Sequence, residues 1–168
     1  MRWFPAYVGL GSNLDDPAAQ VRRALAALAQ LPDSRLLRQS AFYGSRPMGP
    51  AAQPDFVNAV AAVLTRLEVG PFFAELRRLE RALGRTPPRE RWGPRRIDLD
   101  LLVFGSLQLD TEELRLPHPG IVARNFVLYP LAEVAPELPV PGYGVAAELA
   151  AQVSPSGIWR LDTPTPAA

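Results

Sequence analysis

The chain has 168 residues, 48% apolar and 21% charged, the make-up of one soluble globular domain with a real core. A formal net charge of +1 gives no general attraction for polyanions, and the absence of cysteine excludes disulfides and thiolate metal sites. All 18 basic residues are arginine, which removes any phosphate loop of the G-x-x-x-x-G-K type, a kinase strand lysine and Schiff-base chemistry, and leaves guanidinium groups, backbone amides and metal ions to handle phosphate.

Residues 4–10 form a short apolar strand that runs into GLGSN (9–13), which on its own reads as a turn. Asp16 followed by Pro17 has the chemistry of a helix N-cap and first helical position, and Val21, Leu25 and Leu28 then recur at helical spacing. That helix stops by Pro32, and residues 35–43 are expected as one strand. GSRPMGPAAQPD (44–55) is a loop long enough to suspect function. The valines of residues 56–67 favour a strand, and Pro71 is expected to open a second helix that ends at Gly84 with Phe72, Leu76, Leu79 and Leu83 inward. A second long loop, RTPPRERWGPR (85–95), leads into the strand IDLDLLVF, and FGSLQLD suggests a hairpin out of it. This order predicts an α+β fold, a ferredoxin-like β-α-β-β-α-β core with a C-terminal appendage of short strands and helices around RNFVLYPLAEV and GVAAELAAQV. Residues 1–168 are expected as a single domain, with a frayed tail at 163–168. No apolar segment has the length of a signal core or a membrane span, so a cytoplasmic protein without a membrane partner is expected.

The strand at 97–104 carries two aspartates, a residue type depleted in strands. Because side chains alternate along a strand, Asp98 and Asp100 share one face while Ile97, Leu99 and Leu101 share the other. Two carboxylates one pleat apart suit divalent cations that also bind substrate phosphates. Directly before them, Arg85, Arg89, Arg91, Arg95 and Arg96 crowd into twelve residues with Trp92. Arginine forks and carboxylates together fit a metal–polyphosphate complex from both sides. Either feature alone is more simply a solvated surface. His118 between prolines reads first as structural, Glu80 as a plain surface residue, and Phe56, Trp92 and Phe126 as equally core or stacking surfaces.

With those residues in place, the chain resembles the 6-hydroxymethyl-7,8-dihydropterin pyrophosphokinase family of folate biosynthesis. The resemblance lies in five ordered segments between residues 7 and 136: YVGLGSNL, YGSRPMGPAAQPDFVNAV, LRRLERALGR, RWGPRRIDLDLLVFG and LRLPHPGIVARNFVLYPLAEVAP. It implies transfer of the β,γ-diphosphate of ATP to the pterin hydroxymethyl group, with release of AMP. It further implies that Asp98 and Asp100 hold two Mg2+ ions, and that Arg85 and Arg95 neutralise the phosphates as catalytic groups on closing loops. Glu80, Arg91, Trp92, Arg95, Leu101, His118 and Arg124 match ATP-contacting positions. Ser45, Met48, Gly49, Phe56, Asn58, Trp92 and Phe126 match the pterin site, with the ring between Phe56 and Phe126. Phe56 and Ser45 stand where some members have Tyr and Thr, Pro87 and Glu113 where arginine contacts to ATP are met, and Arg77 in place of a polar residue near the adenine. No general base is evident, and the implied enzyme is a monomer that uses no nucleic acid.

Two other functions share parts of this pattern. A palm-like nucleotidyl transferase also sets paired aspartates on such a sheet, but it releases pyrophosphate. An RNA-binding module of this topology needs a basic sheet face without carboxylates, and the two aspartates argue against it.

Overall fold

The computed structural model describes residues 2–47, 52–84 and 96–161. Its main sheet is built from β1 (Phe4–Ser12), β2 (Ser34–Gln39), β3 (Tyr43–Ser45), β4 (Phe56–Thr65), β5 (Asp98–Phe104) and β10 (Ile158–Arg160). The spatial order is β10-β3-β4-β1-β5, with β2 also on β4, and every pair is antiparallel. Four helices, α1 (Pro17–Leu28), α2 (Val69–Ala82), α3 (Asn125–Val134) and α4 (Ala146–Ala151), complete a mixed α/β architecture with two small hairpins, β6 (Leu109–Asp110) with β7 (Arg115–Leu116) and β8 (Pro139–Val140) with β9 (Gly144–Val145).

Local chemistry sets the helix ends. The Asp16 carboxylate accepts from the Ala19 N–H, and Pro17 follows where no donor is needed. Helix α2 begins at Val69, two residues before the proline expected to open it. Pro71 fits inside the first turn, since the first four N–H groups have no intrahelical partner there. Gly84, at φ +88°, takes the left-handed conformation that ends the helix.

Both faces of the sheet are covered. Ala6, Val8 and Leu10 of β1, Ala59, Ala61 and Val63 of β4, and Leu99 and Leu101 of β5 pack against Leu25 and Leu28 of α1 and Phe72 and Leu76 of α2. On the opposite face Val60, Leu102 and Val103 pack beneath Leu128 and Leu131 of α3. Tyr7 pairs with Val103 and Val8 with Leu101, so Leu102 is a surplus residue in β5. This bulge places Leu102 and Val103 on the same side and returns Phe104 to the α1/α2 side.

Three further expectations are corrected. Residues 35–43 form two strands, because Ser40 leaves the ladder to exchange bonds with Val60 and the Ala41 N–H turns to the Glu133 carboxylate at 2.5 Å. Residues 109–110 pair with 115–116 and do not return along β5, since Gly105 instead donates to the Pro5 carbonyl at 2.8 Å. The segment after Gly105 supplies the expected short strands and helices, but it also covers the second face of the sheet and adds β10 to its edge.

Candidate active site

A cleft opens on the α3 side of the sheet, and its floor consists of glycine. In the ladders, Gly9 lies between Val60 and Asp100, and Gly11 between Asn58 and Asp98. With no side chain on the central strand, its two neighbours face each other across a trough. A Cβ on Gly9 would meet Leu102 at 3.4 Å, and one on Gly11 would meet Asn58 Nδ2 at 3.1 Å. Residues 9–12 therefore belong to a strand, and the turn expected for GLGSN is overturned. Asn13 beyond it is buried and donates to Gln53 and Pro54, which ties the strand end to the loop before β4.

Around this floor stand Phe56 and Asn58 of β4, Ser45 of β3 with Arg46 beside it, Asp98 and Asp100 of β5, and Arg124 and Phe126 at the start of α3. The Ser45 hydroxyl donates to Asn58 Oδ1 at 2.6 Å, which fixes the amide with its Nδ2 over Gly11. Arg124 lies 5.9 Å from the Phe126 ring and approaches through Gly120, where a Cβ would come within 2.6 Å of its guanidinium. A second depression adjoins the first, lined by Phe73, Arg77, Leu101, Glu113, Arg115 and His118. Asp100 lines both.

Burial pushes the Asp100 carboxyl above its usual range, and the neighbouring Asp98 charge adds to this, against the pull of His118, Arg77 and Arg124. Burial also lowers the His118 pKa, an effect that Asp100 opposes and the two arginines reinforce. The imidazole is thus held neutral, and its Nδ1 accepts from the Gly120 N–H at 3.1 Å, so the ring proton is on Nε2. No group of three or more Asp, Glu or His side chains converges among the described residues. A pair of carboxylates, with no third such side chain beside it among the described residues, fits Mg2+, which is bound through one or two carboxylates plus substrate phosphates. A cation there would also relieve the repulsion that raises Asp100.

Glu80 is corrected from a plain surface residue to a buried one, 2% exposed. Its Oε2 accepts from the Leu99 N–H at 2.8 Å, its Oε1 pairs with Arg77 at 2.5 Å, and Arg77 Nη2 donates to the Leu99 carbonyl at 2.9 Å. The structure thus brings Ser45, Phe56, Asn58, Asp98, Asp100, Arg124 and Phe126 around one cleft, with Leu101 and His118 in the adjoining depression and Glu80 behind the strand. Met48, Gly49, Arg85, Pro87, Arg91, Trp92 and Arg95 lie outside the described residues. Gly9, Gly11 and Arg46 were missed by sequence reasoning. For the glycines a signal existed, since glycine inside a strand marks close approach of another group.

Residues 7–136 match the family described as 7,8-dihydro-6-hydroxymethylpterin-pyrophosphokinase (HPPK). The 2-amino-4-hydroxy-6-hydroxymethyldihydropteridine pyrophosphokinase of Pseudomonas aeruginosa is 47% identical over 155 residues, 92% of this chain and 95% of that protein. The protein of the same name from Haemophilus influenzae is 41% identical over 157 residues, covering 94% and 98% of the two chains. A crystal structure of Plasmodium falciparum HPPK-DHPS with STZ-DHP shares the fold at a TM-score of 0.70 and 12% identity; the match covers 90% of this chain and 43% of that longer one.

Proposed function

Since the chain belongs to the HPPK family, we propose that it transfers the β,γ-diphosphate of ATP to the hydroxymethyl group of 6-hydroxymethyl-7,8-dihydropterin in folate biosynthesis. The pterin hydroxyl oxygen forms a bond to the β-phosphorus while the bond from that phosphorus to the α,β-bridging oxygen breaks. AMP leaves with the bridging oxygen, and the hydroxyl proton passes to solvent or a phosphate oxygen. The observation that carries this reading is the meeting of two depressions at Asp100, with Asp98 one pleat away. One depression has the flat aromatic flanks and amide edge that suit a pterin, and the other sets Arg77, Arg115 and the His118 donor among apolar walls and the carboxylates of Glu112 and Glu113, a mixed lining that can take a nucleotide with its cations.

In this reading Phe56 and Phe126 hold the pterin between them, and Asn58, locked by Ser45, reads its polar edge together with the segment at Met48 and Gly49. His118 donates from Nε2 to the triphosphate, Arg124 offers its charge from above the cleft, and Leu101 lines the nucleotide side. Asp98 and Asp100 would hold two Mg2+ ions, which supply charge neutralisation across the polyphosphate when bound. The arginines at 85, 91 and 95 and Trp92 would complete the site. Catalysis here consists of alignment and neutralisation, which needs little covalent help from the protein. The strand order, with two helices on one face of the sheet, supports a ferredoxin-like core for a single domain. A cytoplasmic monomer is the simplest setting for two small-molecule substrates.

The test is a coupled assay for AMP with Mg-ATP and hydroxymethyldihydropterin, with phosphorus NMR of the products. Asp98→Ala and Asp100→Ala should each lower turnover by more than about a hundredfold with the circular dichroism unchanged. Release of pyrophosphate in place of AMP, or near-normal turnover in both variants, would overturn the reading.

A further inference from the structure

Strand β5 ends the main sheet: β1 pairs with one side of it, and among the described residues no strand pairs with the other. Leu99, between the two acids, turns its N–H and C=O to that outer side. A buried peptide unit left unpaired there would be costly. Helix α2 satisfies it with two side chains one helical turn apart. The Glu80 carboxylate accepts from the Leu99 N–H, the Arg77 guanidinium donates to the Leu99 carbonyl, and the two side chains bond to each other at 2.5 Å, closing a ring. The Phe73 ring lies 4.7 Å from the same guanidinium and supports it. Together they present one acceptor and one donor, as a neighbouring strand would.

We propose that Arg77 is a positioning residue for the acid pair: with Glu80 it replaces the missing strand at Leu99 and fixes the peptide planes from which Asp98 and Asp100 project. The proposal rests on the reading of those acids as Mg2+ ligands for diphosphate transfer. Rotation of the Leu99 peptide planes would move the two flanking carboxylates and spoil a shared cation site. Only a planar fork spans the carboxylate and the carbonyl at once, so lysine cannot substitute. Without Arg77, the Glu80 carboxylate would lose the guanidinium that orients its Oε1, and its bond to the Leu99 N–H would weaken as well.

The experiment compares Arg77→Gln and Arg77→Lys with the wild-type full chain. Hydrogen exchange at the Leu99 amide should quicken by about tenfold or more in both variants, while Val8 and Leu10 in the central strand stay unchanged. The Mg2+ concentration for half-maximal AMP formation should rise by about fivefold or more, with the KM for pterin within about twofold of wild type. Unchanged Leu99 exchange, restoration of both readings by lysine, or a pterin KM rising in step with the Mg2+ requirement would overturn the proposal. Failure of both variants to fold would also overturn it, because the role assigned is local to one edge of the sheet. If the wild type makes no AMP, the functional reading falls while the exchange comparison still decides whether the clamp exists.

Discussion

Replacing Asp100 by Asn is expected to stabilise the protein that it inactivates. Burial and the charge of Asp98 raise the Asp100 pKa despite His118, Arg77 and Arg124, so the charged form is disfavoured in the folded state. Residues two apart on one strand face stand about 7 Å from each other. Two like charges at that distance repel by about 2 kcal/mol at an effective dielectric of about 20. Loss of attraction to His118 and the two arginines offsets part of this, and relief of the buried charge adds to it, for a net gain on the order of 1 kcal/mol, or about 2–4 °C in Tm. The sign follows from proton uptake. A carboxyl with a raised folded pKa binds its proton more readily when folded, so the contribution of Asp100 to wild-type stability falls as pH climbs from 3.8 through the raised value, then levels off. The Asn variant should therefore match wild type well below the carboxylate range and exceed it at neutral pH. Urea denaturation of metal-free protein, followed by circular dichroism at several pH values, measures this directly. Added Mg2+ should then favour wild type alone, by binding its folded state. An Asn variant less stable at neutral pH, or one whose advantage persists unchanged in acid, would refute the reasoning.

Gly11→Ala would set a Cβ 3.1 Å from the Asn58 amide, which the Ser45 hydroxyl holds in place at 2.6 Å. Calorimetric titration should show weaker pterin binding, by about tenfold, at unchanged thermal stability; unchanged affinity would sink the pocket assignment. Phe72 is fully buried and lies 5.8 Å, centroid to centroid, from Phe104. Its replacement by Ala should cost about 3–5 kcal/mol in chemical denaturation, and a loss under about 1 kcal/mol would show that α2 is not anchored as described.

The acids were legible because alternation along a strand is a local rule: Asp98 and Asp100 had to share a face wherever the strand went. Helix α1 was legible for a similar reason, since Asp16, Pro17 and the spacing of Val21, Leu25 and Leu28 act within a few residues. Glu80 was not. A glutamate near a helix end is buried only if a distant backbone group and a cation meet it, and nothing in its own neighbourhood announces Leu99. The break at Ser40 escaped for the same reason, because the Glu133 carboxylate that draws Ala41 away is far along the chain. Strand β10, with only three residues, carries too little pattern to separate it from a loop. Glycines 9 and 11 were read as turn formers, although what they provide is vacancy beside two loaded strands.

The surplus residue at Leu102 means that β5 is written in two frames, one serving chemistry and one serving the interior. Losing a single residue between Asp98 and Phe104 would merge them. Either the acids would swing into the apolar layer beneath α1 and α2, or Phe104 would forsake Phe4, 5.3 Å away, and Phe72. The stretch thereby tolerates exchanges of side chain but not a change in length.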